Sequence, residues 1–508
     1  MLVSIASSIC LLALVNSVGA SPASSVLHGR VLEARQSPTP TAVQSVELNG
    51  ITYLNKGLVG FGLIPSDFKE STGDTLGGIG SAIDIKYGSW RGSNGKFQGT
   101  FVVLPDRGFN INGTIDYQSR HHEIDFIFTP YYGTENLNFT DAQKTLSLKY
   151  KKTILKFERQ NKKTSGLTPL AVRKEQWGHA LLPILDPEMP ITSTDLPHLS
   201  IDAEGIVSAP DGTFWVSDEY GPYIYRFTAS GHLIQTIQPP KAFLPFSSTG
   251  SLAFTSEVDP KTGRKGNQGF EGLTLDHKNK VLYAMLQSAN IQDGGDSKTT
   301  SRYTRLVAYD VSHPLLKAKL RGEWVVPLPQ SSKGNTQGSS EVHYVSPGVF
   351  LALARDGDGR GGDDNKSKYK NADLFSIAGA TDIHNTKFDD PANPIATGGV
   401  LDPSIVPATY VPFISYIDPI QLARFGLHNG APNDQNLLGA KWESFALASV
   451  NDPAFPDDFF LFTASDNDFI STKGVALGVP FNAGLDVDNQ FLVSRVTLPG
   501  AAKARRGL

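Results

Sequence analysis

The chain has 508 residues, which is long enough for one large domain or for two to three domains of average size. Hydrophobic residues make up 40% and charged residues 19% of it, so the chain can bury a sizeable apolar core. The formal net charge of −4 gives no global field that would attract nucleic acid or an anionic membrane, and we expect neither as a partner.

The N-terminus is predicted to be a secretory signal peptide over residues 1–20. Its apolar run ICLLALV is too short to span a bilayer, and Val18-Gly19-Ala20 supplies the small residues of a cleavage site. The sequence therefore predicts a secreted, extracellular protein. Three glycosylation sequons agree with this route, and they begin at Asn112, Asn138 and Asn365.

After the signal, the sequence predicts a Ser/Pro-rich leader or propeptide over 21–45, one domain over 46–500 and a basic flexible tail over 501–508. The one cysteine, Cys10, lies inside the signal. The mature chain is therefore expected to lack disulfides, a thiolate nucleophile and cysteine-bound metal. A large core, helped by a bound metal, would then have to stabilise the secreted protein.

The domain contains a weak internal repeat. Each copy has an acidic or small residue before a short apolar strand, a turn, a second apolar strand and a polar end. Five copies follow this pattern: GGIGSAIDI with GTFVVLPDRGFN, DAEGIVSAPDGTFWVSDEYGPYIYRF, GFEGLTLDHKNKVLYAMLQS, SSEVHYVSPGVFLALARDGDG and KWESFALASVNDPAFPDDFFLFTASDNDF. The chain has 49 glycines and 32 prolines, which favour turns between these strands. One short helix is predicted from Leu422.

Repeated strand–turn–strand units predict an all-β fold of the β-propeller class, with a β-sandwich plus a second β domain as the alternative. The length suits six or seven blades with long inter-blade loops. Closure of a propeller satisfies the sheet edges internally, so we expect a monomer.

In a propeller, one end of each innermost strand faces a central channel, so the repeated acids are expected to meet there. Hard carboxylate oxygens at such a point suit a divalent cation, calcium foremost. The expected metal ligands are Asp106, Asp202, Glu219, Asp356, Glu443 and Asp466. Glu204, Glu271 and Asp218 are expected to be catalytic, as general bases or further ligands, and Arg107, Arg355 and Arg226 to hold an anionic substrate. The competing interpretation of each acid is a capped turn or a backbone hydrogen bond.

Taken together, DAEGIVSAPDGTFWVSDEYGPYIYRF, GFEGLTLD, LARDGDGRGG, GATDI, KWESFALA and ASDNDF resemble the phytase-like, esterase-like family of secreted propellers. The resemblance spans roughly residues 57–498. It implies the propeller fold and a suspected phosphoesterase activity, and it transfers no assigned catalytic set.

Three functions remain open from the sequence. The first is a metal-assisted hydrolase acting on a small-molecule phosphate ester, such as phytate or a phosphodiester. The second is a non-enzymatic propeller that binds a ligand or partner and holds calcium for stability only. The third is a calcium-dependent carboxyl-ester or lactone hydrolase, which would need an apolar pocket beside the acids.

Overall fold

The computed structural model describes residues 40–93, 95–109, 113–177 and 184–504. The predicted signal peptide, most of the leader, Asn112 and the last four residues of the tail lie outside these ranges. None of the helices in the described residues has the length and apolar character of a membrane span.

Five large sheets contain most of the strands. The N-terminal hairpin is β1 (Gln44–Leu48) and β2 (Ile51–Ile64). Blade 1 contains β3 (Ala82–Ile85), β4 (Arg91–Ser93), β5 (Lys96–Leu104), β6 (Arg120–Phe128) and β7 (Leu146–Leu155). Two small hairpins follow, made of β8 (Ala171–Arg173), β9 (Gln176–Trp177), β10 (Leu185–Asp186) and β11 (Met189–Ile191).

The next three blades each have four antiparallel strands. Blade 2 contains β12 (Ala203–Ser208), β13 (Phe214–Asp218), β14 (Ile224–Phe227) and β15 (Leu233–Ile237). Blade 3 contains β16 (Phe270–Asp276), β17 (Val281–Leu286), β18 (Tyr303–Asp310) and β19 (Lys319–Pro327). Blade 4 contains β20 (Gly338–Ser346), β21 (Val349–Arg355), β22 (Lys370–Ser376) and, after the hairpin of β23 (Ala396–Thr397) and β24 (Val400–Leu401), β25 (Thr409–Ser415).

Blade 5 joins the two ends of the domain. Its inner strands are β26 (Lys441–Ser449) and β27 (Asp458–Asp466), and after the hairpin of β28 (Gly474–Ala476) and β29 (Val479–Phe481) comes β30 (Asn489–Thr497). The sheet order β26-β27-β30-β2-β1 pairs β30 with the N-terminal β2. Because one sheet contains both ends of the domain, the ring is held shut by backbone hydrogen bonds.

The innermost strands β3, β12, β16, β20 and β26 contact one another in a closed ring, so the described chain is a β-propeller of five blades. The predicted fold class is confirmed, and the expected count of six or seven blades is wrong. Long connections take up the length that further blades would have used: 156–202 and 238–269 lie between blades, and 377–408 lies within blade 4.

Helices are few and short in the described chain. They are α1 (Phe139–Ala142), α2 (Pro419–Ala423) and α3 (Ala501–Ala504), with 3-10 turns at Gln143–Thr145, Arg159–Asn161, Lys241–Phe243, Ile291–Asp293 and Lys387–Asp389. The helix predicted from Leu422 begins earlier, at Pro419. Asp418 caps it by accepting from the Ile420 N–H at 2.8 Å, and proline suits the first helical position.

An apolar cluster fills each gap between neighbouring blades. The gap between blades 5 and 1 is aromatic. Phe101 stacks on Phe126 with ring centroids 4.0 Å apart, and Phe97 meets Phe460 edge-on at 4.8 Å. These clusters fix the blades relative to one another, so the channel between them has a defined geometry.

The innermost strands approach one another closely at two glycines, each directly after a glutamate. A Cβ on Gly205 would lie 2.7 Å from the Leu273 Cβ of blade 3, and one on Gly272 would lie 2.5 Å from the Val342 backbone nitrogen of blade 4. Glycine is required here because the neighbouring blade fills the space of a side chain.

Gly272→Ala is therefore expected to lower the free energy of unfolding by about 1–3 kcal/mol, the usual cost of overpacking. Urea denaturation of the purified variant measures this. Gly357→Ala is the matched control, because a Cβ there meets nothing within 4 Å. Equal stabilities of the two variants would contradict the close approach.

Candidate functional site

Two polar positions of every blade meet at one mouth of the channel, where the innermost strands begin and the second strands end. In blades 2 to 5, the first position is a β-bulge in the innermost strand, which turns one extra residue out of the ladder. From blade 1 to blade 5, this bulge ring holds Ser81, Glu204, Glu271, Ser340 and Glu443. At the end of the second strand, the strand-end ring holds Asp106, Glu219, Gln287, Arg355 and Asp466.

Three carboxylates of blades 1 and 2 form a cluster that could hold a cation. Asp106, Asp202 and Glu204 each offer an oxygen, and these oxygens lie within 4.8 Å of one another. All three residues are buried. The Asp202 Oδ1 has no hydrogen-bond partner, and no described residue donates a hydrogen bond to the Glu204 carboxylate. We call these three residues the carboxylate cluster.

Asp202 is held from both sides. The Arg107 Nη1 donates to its Oδ2 at 2.7 Å, and the backbone N–H of Asp202 donates to the Asp218 Oδ1 at 2.8 Å. The Asp218 Oδ2 accepts from the Gly221 N–H at 2.9 Å and from the Tyr225 hydroxyl at 3.1 Å. With both its oxygens engaged, Asp218 has contacts that suit positioning of Asp202, and its catalytic role stays a prediction.

Glu271 and Glu443 present one free oxygen each. The Glu271 Oε1 accepts from the Gln287 amide, and the Glu443 Oε1 accepts from the Arg355 guanidinium. The Oε2 atoms of both glutamates are buried and have no hydrogen-bond partner in the described chain. Glu271 and Glu443 are therefore each oriented by a residue of the strand-end ring and keep one oxygen available.

A lysine that the sequence reasoning missed lies beside these acids. The Lys441 Nζ is 2.9 Å from the Asp466 Oδ2, 2.7 Å from the Asp468 Oδ1 and 3.5 Å from the Glu443 Oε1. Lys441 precedes the tryptophan of KWESFALA, a motif whose glutamate alone drew attention. The sequence did contain a signal for it. Lys441 stands two residues before Glu443, and at the same place in blade 2 the repeat has the acidic residue Asp202.

Burial and like charge disfavour ionisation across the mouth. Burial, followed by the carboxylates of Glu271 and Asp202, raises the pKa of Glu204 well above its usual range. Burial and the Asp466 carboxylate do the same to the pKa of Asp106. Burial also opposes ionisation of Asp466, but Lys441 outweighs it and holds that pKa below its ordinary value. The carboxylate cluster therefore favours a proton or a cation.

Comparison with known proteins places the chain in a family. The family model "Phytase-like: Esterase-like activity of phytase" matches residues 89–408. The chain belongs to the phytase-like family. An "Uncharacterized secreted protein" of Arthroderma benhamiae is 37% identical over 476 residues, which cover 85% of this chain and 91% of that protein. The matched model covers Asp106 to Arg355, and Lys441, Glu443 and Asp466 lie beyond it.

Solved structures give only distant likenesses to this phytase-like chain. A luciferin-regenerating enzyme is 11% identical with a TM-score of 0.25, covering 82% of this chain and 95% of its own. An N-acetylgalactosamine deacetylase from F. plautii is 11% identical with a TM-score of 0.33, covering 88% and 96%. At these scores neither likeness carries a functional argument.

A polar cavity opens beside the mouth of the phytase-like propeller, at blades 3 and 4. Its volume is about 720 Å³, and it contains Gln287, Ser340 and Arg355 from the two rings. Its charged lining residues are Lys298, Lys333, Arg355, Lys368, Asp356, Asp358 and Asp363. The other described lining residues are glycine, serine, threonine, asparagine and glutamine. The hydroxyl, amide and charged side chains of this lining could hydrogen-bond to a hydroxylated or anionic molecule.

Three of the predicted site residues, Asp356, Arg226 and Glu219, make contacts outside the carboxylate cluster. Asp356 accepts from the Ser367 hydroxyl at 2.7 Å and from three backbone N–H groups, so it organises the loop beside the polar cavity. Arg226 is bound to Asp211 in the turn between β12 and β13, at the opposite end of β13 from Asp218. The Glu219 Oε1 accepts from the Gly269 N–H at 3.0 Å.

Two of the sequons lie within the described chain. Asn138 caps α1, accepting from the Asp141 N–H at 2.9 Å, and is exposed. Asn365 is half-buried, and its sequon partner Ser367 is buried against Asp356. Glycosylation of these residues stays a prediction.

Glu219→Gln is expected to stabilise the metal-free protein, and more at pH 8 than at pH 5. Burial, followed by the Asp202 carboxylate, raises the pKa of Glu219 to about 8. A raised carboxyl pKa contributes stability that is complete below the unfolded pKa and is lost as the pH rises towards 8. Glutamine does not titrate, so the advantage of the variant should grow by about 3–4 kcal/mol across this range. Urea denaturation in chelator measures it, and an advantage that shrinks as the pH rises would contradict the shift.

Proposed function

We propose that the protein is a secreted phosphoric ester hydrolase that uses one divalent cation, calcium foremost, at the carboxylate cluster. The observation that carries the proposal is the buried meeting of Asp106, Asp202 and Glu204, with the Asp202 Oδ1 and the Glu204 carboxylate not hydrogen-bonded by the described residues. Buried charge of one sign is relieved by a compensating cation or by protonation.

The residues of the cluster fit a hard divalent cation. All three are carboxylates, and calcium accepts several oxygen ligands in flexible geometry. Asp106, Asp202 and Glu204 would hold the ion. When bound, such an ion polarises a phosphoryl oxygen and favours ionisation of water.

We assign the proton transfer to Glu271. Burial, followed by the Glu219 and Glu443 carboxylates, raises the pKa of Glu271 well above its usual range, which favours the protonated carboxyl. As a water oxygen bonds to phosphorus, the P–O bond to the alcohol breaks with its electron pair, and the Glu271 proton goes to the alcohol oxygen. A proton of the attacking water then returns to Glu271, so the products are the alcohol and phosphate.

The polar cavity is the proposed substrate site. Arg355 borders both this cavity and Glu443, and its Nε has no hydrogen-bond partner in the described chain. A guanidinium in this place suits a phosphate group. The lysines of the rim would neutralise further phosphates, as on a polyphosphorylated polyol such as phytate.

The polar lining of the mouth argues against a lactone or an apolar carboxyl ester as substrate. Such a substrate needs an apolar wall next to the reacting groups. A partly apolar cavity of about 270 Å³ does exist among Ile206, Leu273 and Phe445, but none of the cluster carboxylates line it. The polar cavity at the mouth therefore favours the phosphate ester.

A substrate panel tests the proposal. The purified protein, stripped with chelator and then given calcium, is assayed with phytate, a phosphodiester and an aryl ester of a fatty acid. We expect phosphate-ester cleavage that needs calcium, and we expect the exposed-site control Glu257→Gln to match the wild type. Turnover of the fatty acid ester alone would favour carboxyl-ester hydrolysis. Calcium-dependent stability without any turnover would favour a binding protein.

A further inference from the structure

We propose that Lys441 takes the place of a second metal ion, so that the mouth binds one divalent cation, at the carboxylate cluster. This inference rests on the proposed function, because it concerns the same cation. It adds a charged residue of blade 5 that determines how many ions the centre accepts.

Two groups of carboxylates at the mouth have the spacing of a cation site, and they share Asp106. One is the carboxylate cluster, and the other joins Asp106 to Asp466 and Asp468. In each group the oxygens lie within 4.8 Å of one another. By geometry alone, the mouth would be a two-metal centre with a bridging aspartate.

The second group already has its cation. The Lys441 ammonium contacts the Asp466 Oδ2 at 2.9 Å and the Asp468 Oδ1 at 2.7 Å. The backbone N–H of Asp468 donates to the Asp466 Oδ1 at 2.7 Å. The Asp466 and Asp468 oxygens that would face an ion thus already contact the ammonium, and a divalent ion beside it would meet a like charge.

The carboxylate cluster differs in having open ligand atoms. The basic side chain that contacts it, Arg107, binds the Asp202 Oδ2 at 2.7 Å and leaves the buried Oδ1 without a partner. Asp202 is 1% exposed, and Glu204 receives no hydrogen bond from the described chain. This group therefore has open oxygens for a cation, which the second group does not.

The two groups are related by the repeat. Asp202 stands two residues before the bulge glutamate of blade 2, and Lys441 stands two residues before Glu443 of blade 5. The same structural position therefore holds a ligand in one blade and a positive charge in the other. Removing that charge should convert the second group into an ion site.

Calorimetric titration of chelator-stripped protein with calcium chloride tests this without any substrate. We expect one calcium per wild-type chain, two per Lys441→Met chain and again one when Asp468→Asn is added to Lys441→Met. Lys86→Met is the control and should keep one calcium, because Lys86 pairs with Glu123 and lies outside both groups.

Two calcium ions in the wild type would overturn the inference, as would one in a Lys441→Met chain whose circular dichroism matches the wild type. If Lys441→Met does not fold, Lys441→Gln, which keeps a hydrogen-bond donor, is judged by the same counts. No calcium in the wild type but one in the variant would support the role of Lys441 and contradict the metal of the proposed function. Failure of the role of Lys441 and failure of the proposed calcium site thus give different calcium counts.

Discussion

Asp106→Asn is expected to reduce phosphate release on the order of 10³-fold and to weaken calcium binding, while the chelated protein becomes more stable. Asp106 belongs to both carboxylate groups, so this change removes a proposed ligand and one charge of each. A metal ion contributes several kcal/mol to the transition state, and each 1.4 kcal/mol is about tenfold in rate. Removal of a buried like charge should raise the free energy of unfolding without calcium.

Steady-state rates and urea denaturation in chelator measure the two effects on the same preparation. Asp195→Asn is the matched control, since it makes the same chemical change at an exposed residue. We expect it to change neither quantity. Full activity of Asp106→Asn with unchanged calcium affinity would remove Asp106 from the centre.

Glu271→Gln is expected to lower kcat by about 10²- to 10⁴-fold, the usual contribution of a proton-transfer group. Calcium affinity should stay within about twofold of the wild type, because Glu271 lies outside the carboxylate cluster. Glutamine can still hydrogen-bond to Gln287, so the mouth should keep its shape.

The leaving group separates proton transfer from a structural role. An aryl phosphate, whose leaving oxygen needs no proton, should lose much less activity in Glu271→Gln than phytate does. Equal losses on both substrates would assign Glu271 to structure. A loss of calcium affinity as large as the loss of rate would make it a ligand.

The fold was predictable because the strands and turns of each repeat copy can be recognised within one short stretch of sequence. Each copy contains an apolar innermost strand, a turn, a second strand and polar ends, and the structure contains one blade for each copy that the sequence showed. The error in blade number came from dividing the length by a typical blade. The connections at 156–202 and 377–408 have little periodic pattern, so nothing in them revealed that they add no blade.

The site was predictable in part. Asp106, Asp202 and Glu204 were singled out from the sequence, and the structure brings them together. The register of the bulges was not predictable: the glutamate of SSEVHYV resembles the others, but Ser340 occupies the bulge and Glu341 accepts from the Leu273 N–H at 3.1 Å. One residue of shift moves a side chain to the other face.

The charge balance of the mouth also depends on contacts that sequence cannot reveal. Arg355 occupies the position that Glu219 and Asp466 hold in other blades, and so one side of the mouth is basic. Lys441 lies 25 positions from its partner Asp466 and pairs with it only because β26 and β27 align them. Ion pairs of this kind depend on the register in which neighbouring strands align.

The most direct test of a catalytic cation at the carboxylate cluster is to titrate calcium into chelator-stripped protein while following phosphate release from phytate. We predict that release starts at background, rises with calcium, saturates at one equivalent and stays at background in Glu204→Gln. Release that is complete in the stripped protein, or absent at every calcium concentration, would contradict the account.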